Sequence, residues 1–289
     1  MTARGEFAMT PLRSALTAAA ARLDAAAIPS PRFDAEELAA FSLGVDRGDL
    51  WRHDEPGVAF AAYVERRVAR EPLQHITGRA YFRHLTLAVG PGVFVPRPET
   101  EIVAGAALDA ARAALARWGR PPVVVDLGTG SGAIALAVAD ELPGATVHAV
   151  EADPAAFEWA ARNCAGTRVS LRSGDMALAF SDLDATVDVV VSNPPYIPLG
   201  AHIRDAEVAD HDPAAALWSG TDGLDAIRVV ERVAARLLRR GGAVVVEHAD
   251  VQGSSAPEVF RATGRWSDTQ DHPDLAGRDR YLTATRSRP

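Results

Sequence analysis

Beyond Pro121-Pro122 the chain becomes an alternation of short β-branched runs and helical stretches. Residues 123–127, 146–150, 168–171, 187–192 and 243–247 read as strands, with helices predicted over 133–140, 155–163 and 224–239. These strands are dominated by runs of apolar residues, which demand cover on both faces, so a mostly parallel sheet between helical layers follows. Gly241-Gly242 reads as the C-cap of the long helix.

The first 70 or so residues have a different period. Thr10-Pro11 is a helix start, followed by Leu12, Leu16, Ala19, Ala20 and Leu23 at helical spacing. Ser30-Pro31 opens a second helix that stops at Gly44, and Val58, Tyr63, Val64 and Val68 suggest a third that ends before Pro72. From Tyr81 to Val95 the period becomes two, with Gly90-Pro91-Gly92 in the middle, a hairpin signal. An Ala-rich helix then runs to about Trp118. The expected organisation is a helical domain over 1–77, a β-hairpin linker over 78–97 and an α/β domain over 98–289.

The net charge of −8 argues against a protein that coats nucleic acid, since phosphate affinity comes from Lys and Arg. Cys164 is the one cysteine, so no intrachain disulfide forms and a reducing compartment is expected. Cys164 has no Cys or His company for a structural zinc site. The start lacks the apolar core of a leader peptide, and no apolar run approaches a membrane span of roughly 20 residues. A cytoplasmic protein that does not engage a membrane is expected, with Met9 one candidate for its natural start.

Asp126-Leu127-Gly128-Thr129-Gly130-Ser131-Gly132 ends the first of the later strands and opens a helix. Glycines there let the backbone turn sharply and approach a ligand beside the donor-rich start of a helix. The spacing is Gly-x-Gly-x-Gly, with the third glycine not at the Gly-x-Gly-x-x-Gly spacing of dinucleotide folds, which weakens a dehydrogenase reading. A plain tight turn is the bland reading. Glu151 ends the next strand, 25 residues after Asp126, where a carboxylate accepts both hydroxyls of a ribose. Asp175 follows the third strand, where a carboxylate accepts from an adenine amino group. Singly, each acid is a solvated loop residue or a cap. With the glycine turn they outline a nucleoside pocket, and from about residue 121 the chain resembles class I S-adenosylmethionine methyltransferases.

The strand over 187–192 runs straight into Asn193-Pro194-Pro195-Tyr196. Two prolines fix the backbone and remove two N–H donors. The Asn193 carboxamide oxygen and the Pro194 carbonyl then form a pair of acceptors suited to both hydrogens of a planar –NH2 group. Such a nitrogen is a poor nucleophile because its lone pair is delocalised. Holding both hydrogens orients it toward an electrophile, so positioning and electrostatics supply the catalysis, with no metal needed. Tyr196 is placed to stack on a flat substrate. A proline-rich turn with an Asn cap is the bland alternative.

That motif serves both adenine N6 and glutamine N5, so other residues must choose. Glu71-Pro72-Leu73-Gln74-His75-Ile76-Thr77-Gly78, Val95-Pro96-Arg97-Pro98-Glu99-Thr100-Glu101, the glycine turn and Asn193 to Ile197 together resemble the HemK/PrmC family. Gly223-Leu224-Asp225, Glu247 with Gln252, and Asp274-Leu275-Ala276-Gly277-Arg278-Asp279-Arg280 extend the resemblance toward the C-terminus. It implies a class I methyltransferase fold with a seven-stranded sheet. The activity implied is methylation, by S-adenosylmethionine, of the glutamine in the Gly-Gly-Gln motif of bacterial peptide chain release factors, leaving S-adenosylhomocysteine.

Carried over by motif, Gly128, Thr129, Gly130, Ser131, Gly132, Glu151, Asp175, Met176 and Asn193 would contact the cofactor. Asn193, Pro194, Pro195 and Tyr196 would hold the amide. Phe94 and residues 96–101 would wall the pocket, the latter also reading as a helix start with first-turn acids. The helical domain would meet the release factor, the enzyme acting as a monomer without stable nucleic acid.

The chain departs from the family pattern at His75, Met176, Ala249, Pro273 and Asp210-His211-Asp212-Pro213, none of it in Asn-Pro-Pro-Tyr. Three other readings stand beside this one. A glutamine methyltransferase of a ribosomal protein would share the motif. An adenine-N6 enzyme would carry a basic face. A binding protein without activity would show a broken glycine turn or reaction motif.

Overall fold

The computed structural model describes residues 11–203 and 205–287. The Thr10 cap and the Met9 start therefore lie outside the described residues. In chain order, α1 (Pro11–Ala25), α2 (Pro31–Leu43), α3 (Phe60–Val68) and α4 (Leu73–Thr77) precede a hairpin of β1 (Arg79–Phe82) and β2 (Leu85–Ala88). The alternation follows: α5 (Pro98–Trp118), β3 (Val123–Leu127), α6 (Ala133–Glu141), β4 (Thr146–Glu151), α7 (Pro154–Cys164), β5 (Val169–Ser173) and β6 (Val187–Ser192). Last come α8 (Ala206–His211), α9 (Asp225–Leu237), β7 (Leu238–Glu247), α10 (Ser255–Arg261), β8 (Trp266–Pro273) and β9 (Asp279–Arg286).

The described residues divide into two units, 11–78 with 205–211, and 79–203 with 212–287. In the first, α1 to α4 bury Leu12, Leu16, Leu23, Leu38, Phe60 and Val64 against one another. Helix α8 belongs to this unit. The buried Arg67 guanidinium bonds Asp34 at 2.7 Å on one side and Glu207 of α8 at 2.9 Å on the other.

The second unit holds a seven-stranded sheet in the order β5-β4-β3-β6-β7-β9-β8. Strands β3 to β7 are parallel, and β9 runs antiparallel between β7 and β8. Successive side chains of a strand leave by opposite faces. Accordingly Val124, Val189, Val191 and Val245 pack with α5 and α6, while Val125, Leu127, Val190, Val244 and Val246 pack with α9 and α10. Neighbours β4 and β6 flank β3, so the chain leaves β3 to one side and later returns on the other. A crevice opens outside the carboxyl ends of strands at such a point.

Two expectations are corrected. The hairpin turn is Arg83-His84, with Phe82 opposite Leu85, and not Gly90-Pro91-Gly92. Arg83 takes a left-handed φ of 53° without the usual Asn-Gly signal. Its backbone N–H donates to Glu101 Oε1 at 3.0 Å, and its guanidinium to the Glu101 carbonyl and to Glu141, at 2.8 Å for Oε2. Within the hairpin, Ala80, Phe82 and Leu87 lie in the core of the sheet unit.

The long helix ends at Leu237, and 238–242 belong to β7. Arg239 and Arg240 look like a helix's basic last turn, but Leu238 pairs with Val187 and Arg239 meets the buried Asp188 of β6 at 2.8 Å. Gly241, at φ 80°, serves an irregularity between Leu238 and Ala243. Strands β8 and β9 and helix α10, finally, escaped the sequence reading. β8 buries little along its length, so its polar residues carry no run of apolar ones.

Candidate active site

The glycine turn, Glu151, Asp175 and Asn193 all fall at the carboxyl ends of β3, β4, β5 and β6. Gly128, Gly130 and Gly132 take φ of 71°, 59° and 88°, the left-handed region where a side chain is strained. The turn is stitched to β4 by Gly128 and Thr129, whose N–H groups donate to the Val150 carbonyl at 3.0 Å each. A Cβ added at Gly128 or Gly130 would meet nothing within 4 Å. These glycines thus face open space and form a backbone cradle.

Asp126, buried at the end of β3, accepts from the Thr129 hydroxyl at 2.6 Å and the Ala135 N–H at 3.2 Å, both through Oδ2. Its Oδ1 is buried with no partner among the described residues. Burial pushes this carboxyl up to about 7, with the Thr129 and Ala135 bonds pulling the other way. A buried acceptor in want of a donor beside a glycine cradle is a place for a cationic or N–H group of a ligand.

Glu151 turns back over the cradle. Oε2 accepts from the Gly130 N–H at 2.8 Å, and Oε1 accepts from Ala152 and Asp153 at 2.9 Å each. Burial raises its pKa, and those three N–H groups offset part of the rise. Asp175 is exposed and caps its own turn, accepting from the Ala177 N–H at 2.8 Å. Met176 packs against the α9 side of the sheet.

Asn193 follows β6 directly. Ser192, wholly buried, ties that strand end to β3 by donating to the Leu127 carbonyl at 2.6 Å. The Asn193 Nδ2 donates to Thr100 Oγ1 at 3.2 Å. Thr100 lies in the first turn of α5, so the expected wall segment is also a helix start. Pro194 is buried. Tyr196 lays its ring against the α9 face of the core, and its hydroxyl donates to Glu247 Oε1 at 3.4 Å. Burial and the neighbouring Glu247 raise the Tyr196 pKa, so this hydroxyl keeps its proton.

The family-matching residues outside the motif brace it. Gln252 Nε2 donates to the carbonyls of Tyr196 at 3.1 Å and Gly223 at 3.3 Å, while its Oε1 accepts from the Ala249 N–H at 3.0 Å. Gly223 has φ 76°, and a Cβ there would run into the Tyr196 carbonyl oxygen. Beyond Tyr196, Ile197 pairs through its backbone with Leu217 and Ser219. Arg97 stacks over Phe94 and reaches Asp212 at 2.7 Å, so one of the positions that depart from the family pattern anchors this wall. Asp274 caps the β8–β9 turn, accepting from Ala276 and Arg278, and the turn delivers Arg280 to the vicinity of Glu247 and Tyr196.

Thr100 and Arg280 were not singled out from the sequence. Both lie in segments that resemble the family, but only the fold shows that they converge on Asn193 and Glu247. Among the described residues no group of three or more His, Cys, Asp or Glu is arranged to hold a metal ion.

A sheet of this strand order, with a glycine turn after its first strand and an acid ending the second, is that of the class I methyltransferases, which take their methyl group from S-adenosylmethionine. A family model described as the methyltransferase small domain matches residues 99–208, and one described as the PrmC N-terminal domain matches residues 14–78. The chain is 57% identical to a release factor glutamine methyltransferase of Streptomyces coelicolor, across 97% of this chain and 100% of that protein. It is 51% identical to one from Mycolicibacterium smegmatis, across 96% and 99%. A 4-amino-L-phenylalanine/4-methylamino-L-phenylalanine methyltransferase of Streptomyces pristinaespiralis is 43% identical, across 96% and 95%. The chain belongs to the release factor glutamine methyltransferase family.

Proposed function

We propose that this chain methylates the N5 nitrogen of the glutamine in the Gly-Gly-Gln motif of peptide chain release factors. The observation that carries the reading is Asn-Pro-Pro-Tyr at the end of β6, held beside the glycine cradle in a chain 57% identical to a release factor glutamine methyltransferase.

S-adenosylmethionine supplies a sulfonium methyl group as the electrophile. The Gly128-to-Gly132 cradle gives room for its backbone-like portion, and the unpartnered Asp126 oxygen suits its ammonium group. Glu151 is assigned to the ribose and Asp175 with Met176 to the adenine. Residues Asn193 and Pro194 would accept the two hydrogens of the glutamine amide and so orient its nitrogen. A cofactor held there would supply the methyl group to that nitrogen, with S-adenosylhomocysteine as the leaving group and one N–H proton passing to solvent. Orientation is the main contribution of the protein, as for a reaction whose rate comes from placing two reactants. The helical unit of α1 to α4 is assigned to recognition of the release factor.

A relative acting on 4-amino-L-phenylalanine favours a second reading, a free arylamine, since its –NH2 is also planar. The two are separated by offering the chain a bacterial release factor and 4-amino-L-phenylalanine with labelled S-adenosylmethionine. Methyl transfer to the release factor at a kcat/KM at least about a hundredfold higher supports glutamine methylation. A preference for the arylamine overturns it.

A further inference from the structure

We propose that His248 is a positioning residue for the methyl transfer: braced by Asp271, it holds the turn that follows β7 in the conformation from which Gln252 grips the carbonyl of Tyr196. The inference rests on glutamine methylation being the reaction of this site.

His248 is wholly buried where β7 ends, and its backbone N–H donates to the Arg280 carbonyl of β9 at 2.9 Å. Both ring nitrogens are engaged. Nδ1 lies 2.9 Å from the Ala249 carbonyl oxygen, and Nε2 lies 2.8 Å from Asp271 Oδ1 of β8. A carbonyl oxygen only accepts, so Nδ1 carries a hydrogen and donates it. The bond on the other side holds whichever of Nε2 and Asp271 supplies the proton between them. Ala249 has ordinary extended backbone angles, φ −67° and ψ 151°, so nothing in its residue type fixes the turn. Two donors fix it instead, because its carbonyl accepts from His248 Nδ1 and also from the Gln252 N–H at 2.8 Å. The Ala249 N–H in turn donates to Gln252 Oε1 at 3.0 Å, which leaves the NH2 end of that carboxamide to the carbonyls of Tyr196 and Gly223. Asp271, His248, Ala249, Gln252 and Tyr196 thus form one unbroken run of hydrogen bonds from the edge strand of the sheet to the reaction motif.

Tyr196 is held from both sides of His248. Glu247, the residue before it, meets the Tyr196 hydroxyl at 3.4 Å, and Gln252, in the turn after it, meets the Tyr196 carbonyl at 3.1 Å. Stability alone does not call for a histidine here. An apolar side chain would fill the position without drawing a carboxylate of β8 toward the interior, and such replacements of a buried polar pair are often neutral or stabilising. What an apolar residue lacks is direction, since a hydrogen bond fixes where the Ala249 carbonyl points and packing does not. A displacement of about 1 Å in the Asn-Pro-Pro-Tyr backbone is enough to cost turnover.

The test uses the full chain with a bacterial release factor as substrate and compares His248→Leu, His248→Asn, Asp271→Ala and Asp271→Asn. Each kcat is normalised to the cofactor-binding sites counted by calorimetric titration, so misfolded protein does not enter it. His248→Leu removes the donor and should lower kcat about tenfold to a hundredfold, with KM and S-adenosylmethionine affinity within about twofold of the original. The side-chain amide of Asn stands where Nδ1 does, so His248→Asn should recover kcat to within about fivefold of the original. Asp271 is partly exposed, which keeps the test open should His248→Leu fail to fold. Asp271→Ala frees the ring and should lower kcat about threefold to tenfold, whereas Asp271→Asn, able to donate to or accept from Nε2, should stay within about twofold. Unchanged kcat in His248→Leu, equal impairment of Leu and Asn at that position, or unchanged kcat in Asp271→Ala overturns the inference while leaving glutamine methylation standing. Absence of transfer by the unaltered chain to the release factor, with the cofactor bound, overturns glutamine methylation and this inference with it.

Discussion

Two glycines with almost the same backbone angle should respond to alanine in opposite ways. Gly128 has φ 71° and Gly223 has φ 76°, so alanine at either carries the same left-handed strain, about 1–2 kcal/mol. Their surroundings differ. Around Gly128 a Cβ meets nothing within 4 Å. At Gly223 it strikes the Tyr196 carbonyl oxygen, with Gln252 Nε2 at 2.8 Å and Pro198 Cδ at 3.0 Å. Forcing atoms apart in a packed site costs roughly a further 1–3 kcal/mol. Gly223→Ala should therefore melt below Gly128→Ala by roughly 2–12 °C, at about 2–4 °C per kcal/mol.

Function should divide the other way. Gly128→Ala fills the cradle and should weaken S-adenosylmethionine binding by about tenfold or more in a calorimetric titration, with the fold retained. Gly223→Ala should bind the cofactor within about threefold of the original, yet lose turnover, because the Tyr196 carbonyl and the Gln252 clamp must shift. Wild-type affinity in Gly128→Ala would refute the cradle as the cofactor site. Equal melting temperatures would refute the close approach at Gly223 as a constraint on the reaction motif.

Other predictions follow from the same geometry. Asn193→Ala should lower kcat by roughly two to four orders of magnitude with cofactor affinity nearly intact, by rapid-quench and calorimetric measurement; unchanged turnover would remove Asn193 from the reaction. Asp126 and Glu247 are raised to about 7 in the fold from 3.8 and 4.5. Well below pH 3.8 both states hold these protons. As pH rises toward 7 the unfolded chain releases them first, so stability of the ligand-free chain should fall by up to about 1.4 kcal/mol per pH unit per group and level off above 7. Chemical denaturation at pH 5.5 and 7.5 checks this, with Asp126→Asn flattening the slope; a rise in stability over that window would contradict it. Arg67→Met leaves the buried Asp34 without its cation, while Glu207 keeps Arg70 at 3.3 Å, and should destabilise the helical unit by about 3–5 kcal/mol, read by circular dichroism; a loss under about 1 kcal/mol would mean that Asp34 does not depend on Arg67.

The central strands were legible because burial on both faces selects mainly apolar β-branched residues, as in Val187–Ser192, where Asp188 and Ser192 are the polar exceptions. The edge of the sheet was not. β8 faces solvent along most of its length, so Trp266–Pro273 reads as a polar loop. Arg83-His84 hid the hairpin turn for a related reason, because its left-handed residue is held by Glu101 and Glu141, far off in sequence, and not by a glycine. Arg239 looked like a helix end since its partner, Asp188, sits on another strand. The same limit applies at the site. Local spacing displays the glycine turn and Asn-Pro-Pro-Tyr, whereas Thr100 and Arg280 acquire meaning only when α5 and β9 meet the end of β7.

The most direct measurement of the central claim is peptide mass spectrometry of a bacterial release factor incubated with this chain and S-adenosylmethionine, with Asn193→Ala in parallel. A single added methyl group on the glutamine of the Gly-Gly-Gln motif, absent with the variant, is the predicted result. A methyl group placed on any other residue, or an unmodified glutamine under conditions where the cofactor is bound, would contradict it.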